Sequence, residues 1–265
     1  MIKPGLFNSI FVIPILNILV LFYFVFEFLH IPYSFGFAII ALTALVRIVL
    51  QPFFNQQMQT SKKMTEIKPQ MDALTKKYKN DKKTLQQEQL KLYQQAGINP
   101  AAGCLFMIVQ IPVFIALYQA LLLFLQNTNQ AKVIADVNKI LYFPGISITS
   151  FNPWFFGFNL AVAPNVANNP FYYIIPVITA ILQYLQVKVS MPPSAPALAK
   201  TDDKSTGPED FQKAMTSQMK YVFPILIGWF AFTLPVGLSL YWNVFSLFSI
   251  IQYRNLNKIK VDKNG

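Results

Sequence analysis

A single arginine buried in an apolar stretch constrains this chain more than any other feature. Residues Ser34 to Asn55, SFGFAIIALTALVRIVLQPFFN, are almost unbroken apolar sequence. About 20 such residues, at ~1.5 Å per residue in a helix, are long enough to cross a bilayer. Arg47 is the only full charge among them. At that depth a guanidinium costs from ~3 kcal/mol to several times more unless water or a partner reaches it. Thr43, Arg47 and Gln51 are spaced four apart, so they form one polar stripe on a helical face. No Asp or Glu lies in the interior of any other long apolar run, Glu27 standing at the end of the first. With no carboxylate to pair with, the expected host for Arg47 is a water-filled concavity open to one side of the membrane. The plainer alternative is that Arg47 snorkels to the near interface, since Pro52 and Asn55 follow within two turns.

Composition narrows the class. The chain is 54% hydrophobic and only 12% charged, with 25 Phe, which describes a multi-span membrane protein rather than soluble domains. One Cys (Cys104) and one His (His30) exclude a disulfide framework and a multi-ligand zinc site built from these residues. No Gly-rich phosphate loop is present, so no nucleotide use is expected; no cofactor or metal is either. The net charge of +11 would suggest nucleic acid in a soluble chain. Here the placement of the lysines carries the information, and no direct specific nucleic-acid binding is expected.

Phe7 to Leu29 is the first apolar run, and two placements fit it: a span, or a helix tilted in the outer interface. No small-residue cleavage site follows, so a cleaved signal peptide is not expected. The segment 56–96 changes character, with nine lysines and apolar residues Met64, Ile67, Met71, Leu74 and Tyr78 at alternating three- and four-residue spacing. That is the seam of a packed helix. Asn80-Asp81 breaks the pattern, and Leu85, Leu92 and Ala96 resume it, giving a short antiparallel hairpin. Its lysine excess places it in the cytoplasm, so the arginine-bearing helix runs from outside to inside.

Further spans are expected at about 101–125, 171–189, 220–234 and 238–253, after a first at about 34–54. An outer loop covers 127–169 and a Pro/Ala/Ser-rich cytoplasmic loop 191–218; a basic cytoplasmic tail follows at 255–265. Gln110 and Pro112 interrupt the second span; Thr179, Gln183 and Gln186 share a face of the third. Ser239, Asn243 and Ser246 share a face of the last. The run from Tyr221 to Leu234 would cover only ~21 Å as a helix, short of a ~30 Å hydrocarbon core. Polar stripes on three spans argue for a hydrated cavity in the cytoplasmic half, beside locally thinned lipid.

Five stretches carry a resemblance: SFGFAIIALTALVRIVLQPF, the hairpin from QQMQTSKKM to KLYQQAGINP, AAGCLFMIVQIPVFIALYQAL, PFYYIIPVITAILQYLQ and FTLPVGLSLYWNVFSLFSIIQ. In order and spacing they resemble the YidC-type membrane protein insertases, the family that includes the Oxa and Alb organelle proteins. The resemblance implies an all-α polytopic membrane protein: a five-helix transmembrane core with a cytoplasmic helical hairpin and an N-terminal interfacial or tilted apolar helix. It implies a hydrophilic groove open to cytoplasm and lipid and closed on the outer side. The family's groove arginine falls on Arg47, its threonine one turn earlier on Thr43, and its paired aromatics on Tyr241 and Trp242, where the second is usually Tyr. Gln51, Gln110, Gln183, Gln186 and Asn243 complete the expected substrate groove. The family's large periplasmic domain and lipoprotein cysteine have no counterpart in the residues given.

The function this implies is an insertase in the bacterial plasma membrane. It would take hydrophobic segments of nascent proteins through the groove and release them sideways into lipid, without nucleotide hydrolysis. Implied partners are nascent membrane proteins and the bilayer, with the Sec translocon, the ribosome and the signal recognition particle pathway as further candidates. A small-solute transporter or channel would also explain the stripes, but it predicts an internal repeat that the sequence does not display. An intramembrane enzyme would need a nucleophile–base pair or metal ligands within the membrane, and the lone His30 sits near the outer surface.

Overall fold

The computed structural model describes residues 5–79, 81–98, 102–125, 129–143, 145–190 and 218–261. Within these, the side chains of 82, 102–110, 218–219 and 255–261 are left aside, so Gln110 lies outside the described side chains. The cytoplasmic loop expected at 191–218 and the end of the tail likewise lie almost wholly outside the described residues.

Among the described residues there are ten α-helices and one two-stranded hairpin. This is an all-α membrane protein. A π-helical turn at Asn8–Val12 leads into α1 (Ile13–Phe28), and together they form an apolar helix of 21 residues. Next come α2 (Ser34–Val49), α3 (Gln51–Glu66), α4 (Lys68–Lys77) and α5 (Lys82–Gln95). Then follow α6 (Ala102–Leu125), α7 (Gln130–Asn138), α8 (Ile174–Ser190), α9 (Phe223–Thr233) and α10 (Val236–Val261). In the bundle, α8 packs against both α9 and α10, α10 against α2, and α2 against α1, while α6 touches α1, α3 and α10.

The helix that carries Arg47 is not one straight crossing through residue 54. It bends by 65° between α2 and α3. Pro52 is the second residue of α3 and has no N–H to return to the preceding turn, while the Leu50 N–H is shared between the Val46 and Ile48 carbonyls. The 16 residues of α2 therefore reach only ~24 Å. The first arm of the hairpin is also broken, at Ile67, where Pro69 starts α4. Asp81 caps α5: its carboxylate accepts from the Thr84 N–H at 3.1 Å and the Thr84 hydroxyl at 2.6 Å. Those bonds hold the Asp81 carboxyl below its ordinary pKa.

The core lies toward the segment between α6 and α8, where Leu16, Leu19, Phe35, Ile39, Leu42, Leu117, Leu121, Leu238 and Tyr241 are almost fully buried. The segment between α6 and α8 is more structured than a mixed loop. It holds α7 and a β-hairpin, β1 (Trp154–Phe155) with β2 (Phe158–Asn159), turned by Phe156 and Gly157 at φ 45° and 86°. Two consecutive positive φ values make the tight turn that matches strand twist. Phe155 fills a notch at Gly36 of α2, where any Cβ would collide with its ring. Further along, the Val236 and Gly237 N–H groups donate to Val162 and Leu160 at 3.1 and 2.9 Å. The start of α2 and the turn between α9 and α10 are thus capped by this segment.

The helix α1 is fastened to the same cap. The Asn17 amide donates to the Ile140 carbonyl at 3.1 Å and accepts from the Tyr142 N–H at 2.7 Å. The Tyr23 hydroxyl donates to the Ser150 carbonyl at 3.1 Å. Between α8 and α9 the contact is close because it is small: a Cβ on Gly228 would lie 3.0 Å from the Ala180 Cβ. In lipid, where apolar burial no longer drives association, such close backbone approach is what holds helices together.

Candidate functional site

Arg47 stands in the last turn of α2, next to the helix end created by the bend. The unpaired carbonyls there carry partial negative charge, which favours a cation. Its side chain turns inward and is only 4% exposed, so it neither snorkels to the interface nor lies open to water. One Nη2–H donates to the Ser249 hydroxyl of α10, and that hydroxyl donates in turn to the Phe245 carbonyl at 3.0 Å. The guanidinium carbon sits 3.7 Å from the centre of the Phe54 ring and 4.5 Å from that of Phe245. These rings meet at 62°, with centroids 5.9 Å apart, and make a corner around the charge.

Magnitudes show how far these contacts stand in for a carboxylate. On insertion scales an arginine at a helix centre costs ~2.5–3.5 kcal/mol. A desolvated cation–π contact returns ~2 kcal/mol or more, and a hydrogen bond from a charged group ~1.5–3 kcal/mol. These contacts therefore offset part of the cost of burying the charge. Its Nε and Nη1 atoms are buried and make no hydrogen bond among the described residues.

The expected groove residues divide into three groups. Thr43 is fully buried one turn before Arg47, but its hydroxyl donates to the Ile39 carbonyl of its own helix at 2.7 Å. Gln51 lies past the bend and is exposed, with its amide 3.5 Å from Asn55. The bend takes it off the stripe that a straight helix would have drawn. A second group joins α8 to α10: the Ser246 hydroxyl lies 2.7 Å from the Gln186 carbonyl oxygen and 3.2 Å from that of Gln183. Asn243 stands one turn earlier on α10, its Oδ1 buried without a partner among the described residues. Tyr241 and Trp242 form the third group. Trp242 stacks on Phe114 of α6 at 5.5 Å and 13°, and Tyr241 packs between Phe114 and Phe245.

Three residues central to Arg47 were not among the expected ones: Ser249, Phe54 and Phe245. A signal for Ser249 was present, because Ser246 and Ser249 extend the α10 stripe by one more three-residue step. Nothing in the order of residues distinguishes Phe54 and Phe245 from 23 other phenylalanines, since 25 are present. Below Arg47 the polar seam continues toward the hairpin. The Gln252 amide donates to Asn55 at 3.2 Å, and the Ser61 hydroxyl to the Ser190 carbonyl at 2.7 Å. The seam therefore joins α2, α3, α8 and α10 at the end remote from the aromatic cap. Groups of acidic, His and Cys side chains suited to a metal are absent among the described residues.

Comparison with known proteins agrees with this architecture. The family model described as 60Kd inner membrane protein matches residues 12–264. A protein of Oceanobacillus iheyensis named membrane protein insertase YidC is 33% identical over 260 residues, 97% of this chain and 85% of the relative. Membrane protein insertase YidC 2 of Bacillus anthracis is 30% identical over 99% of this chain and 86% of its own length. The chloroplast inner membrane protein ALBINO3 of Arabidopsis thaliana is 32% identical over 87% of this chain, which spans 48% of that longer relative.

Proposed function

The chain belongs to the 60Kd inner membrane protein family, that of the YidC and ALBINO3 proteins, and on that premise we propose that it is a membrane protein insertase. A hydrophobic segment of a nascent protein meets the hairpin α4–α5, enters along the polar seam between α2, α8 and α10, and leaves sideways into lipid. The observation that carries this reading is the seam itself: a positive charge and a row of amides and hydroxyls inside a bundle whose other faces are apolar. A polar flank that follows the segment into the membrane gains partners there that lipid does not offer.

Several features support the rest of the reading. The lysine-rich hairpin and the basic end of α10 belong inside, by the excess of positive charge. The fastening of α1 to the outer cap at both Asn17 and Tyr23 favours an outer interfacial helix over a separate crossing. Short helices favour thinned lipid at the seam: α2 reaches ~24 Å, and α9 with the π-helical turn before it ~21–24 Å. Apolar burial of ~0.8 kcal/mol per CH₂ drives release, so no nucleotide step is required. The site would then lie in a bacterial plasma membrane, with the Sec translocon, ribosome and signal recognition particle pathway as upstream partners.

Depletion and rescue test this directly. In cells depleted of their own insertase, expression of this chain should restore integration of a small single-span protein, measured by its protection from added protease. Continued accumulation of uninserted protein, with this chain present in the membrane at normal level, would overturn the proposal.

A further inference from the structure

We propose that Phe54 and Phe245 are specificity-determining residues: their aromatic corner keeps Arg47 charged, fixed and aimed, and so gives segments with acidic flanks their advantage. The inference rests on the insertase reading. Three observations carry it. The guanidinium carbon lies 3.7 and 4.5 Å from the two ring centres, which are 5.9 Å apart, so the rings stand at about a right angle around the cation. Ser249 takes a single donor, at Nη2. The Nε and Nη1 donors remain buried and unpartnered among the described residues, on a side chain that is 96% buried by its 4% exposure.

A guanidinium offers its N–H donors only in its own plane. The group that fits such an approach is a planar acceptor, the carboxylate of an Asp or Glu next to the incoming segment. A leucine at either ring position would fill similar space but offer no π face. The charge would then be free to withdraw toward the near interface and gather water, and its remaining donors would no longer be aimed at the seam. Phe54 also follows directly after the bend, on the helix that leads to the hairpin. Movement of α3 would therefore move one wall of the corner.

The test compares two single-span substrates, identical except for an acidic or a neutral flank, made in the same depleted cells. With Phe54→Leu, Phe245→Leu or both, the acidic-over-neutral preference should fall by about ten- to thirtyfold, the size of a desolvated cation–π contact. Insertion of the neutral substrate should persist, and Phe54→Tyr should keep the preference. An unchanged preference, or an equal loss for both substrates, would assign the rings to packing alone and overturn the proposal. A second readout does not depend on insertion. Arg47 and Arg254 are the two arginines in the chain. In Arg254→Lys protein purified in detergent, phenylglyoxal should modify Arg47 slowly, and severalfold faster after Phe54→Leu. Equal rates would sink the corner while leaving the insertase reading intact. A wild-type chain that inserts neither substrate would remove the reading on which the inference stands.

Discussion

Among the described residues, Ser249 holds the one hydrogen bond that ties the Arg47 charge to another helix. Removing it leaves a buried guanidinium with no side-chain acceptor among the described residues, a loss of ~1–3 kcal/mol. Ser249→Ala should therefore lower the unfolding temperature of the purified protein, while Ser249→Thr, which keeps the hydroxyl, should retain most of it. Equal behaviour of the two would show that the hydroxyl is not what matters. The importance of Arg47 was legible in the sequence because a lone charge in an apolar run is costly wherever it sits. Its surroundings were not. Phe54 reaches it through a bend whose angle depends on Pro52, and Phe245 and Ser249 reach it from a helix about 200 residues later. The same bend explains why Gln51, well placed on a straight helix, ends exposed.

The hairpin illustrates what periodicity can and cannot give. Its two arms and the break near Asn80-Asp81 follow from apolar spacing, and Asp81 caps α5 through Thr84. The further break at Ile67 was written in Lys68-Pro69, yet an apolar seam that runs through a proline reads as continuous. The consequence is mechanical. Phe54 and Met58 of α3 are buried against the bundle, and Asn55 and Ser61 bond to α10 and α8. Within α4 no residue is buried. The helix α3 therefore belongs with the membrane core, and only α4 and α5 stand apart. Deletion of residues 68–95, bridged by a short Gly/Ser linker, should leave a protease-resistant core and cripple insertion. Full insertion after that deletion would take the hairpin out of the mechanism, and loss of the protease-resistant core would show that α4 and α5 hold the bundle together.

Across the molecule, polarity is divided between two ends. One end is closed by aromatic packing around Phe35, Phe124 and Phe151 and by backbone hydrogen bonds from the α9–α10 turn to the cap. The other end carries the seam, from Asn243 through Arg47 to Ser61 and Ser190. The seam joins α2, α3, α8 and α10 at the end away from that packing. The seam was foreseeable from the polar stripes, whereas the aromatic setting of Arg47 was not, because stripes record which residues share a face and not how tightly the faces close. The central claim is that the Arg47 charge acts on the flank of the incoming segment. It is tested most directly by the insertion yield of a matched set of single-span substrates that differ only in flank charge, at equal levels of wild-type and Arg47→Ala protein in the membrane. The account predicts that Arg47→Ala loses most with Asp- or Glu-bearing flanks and least with neutral, strongly apolar ones. An equal loss across the set would contradict it.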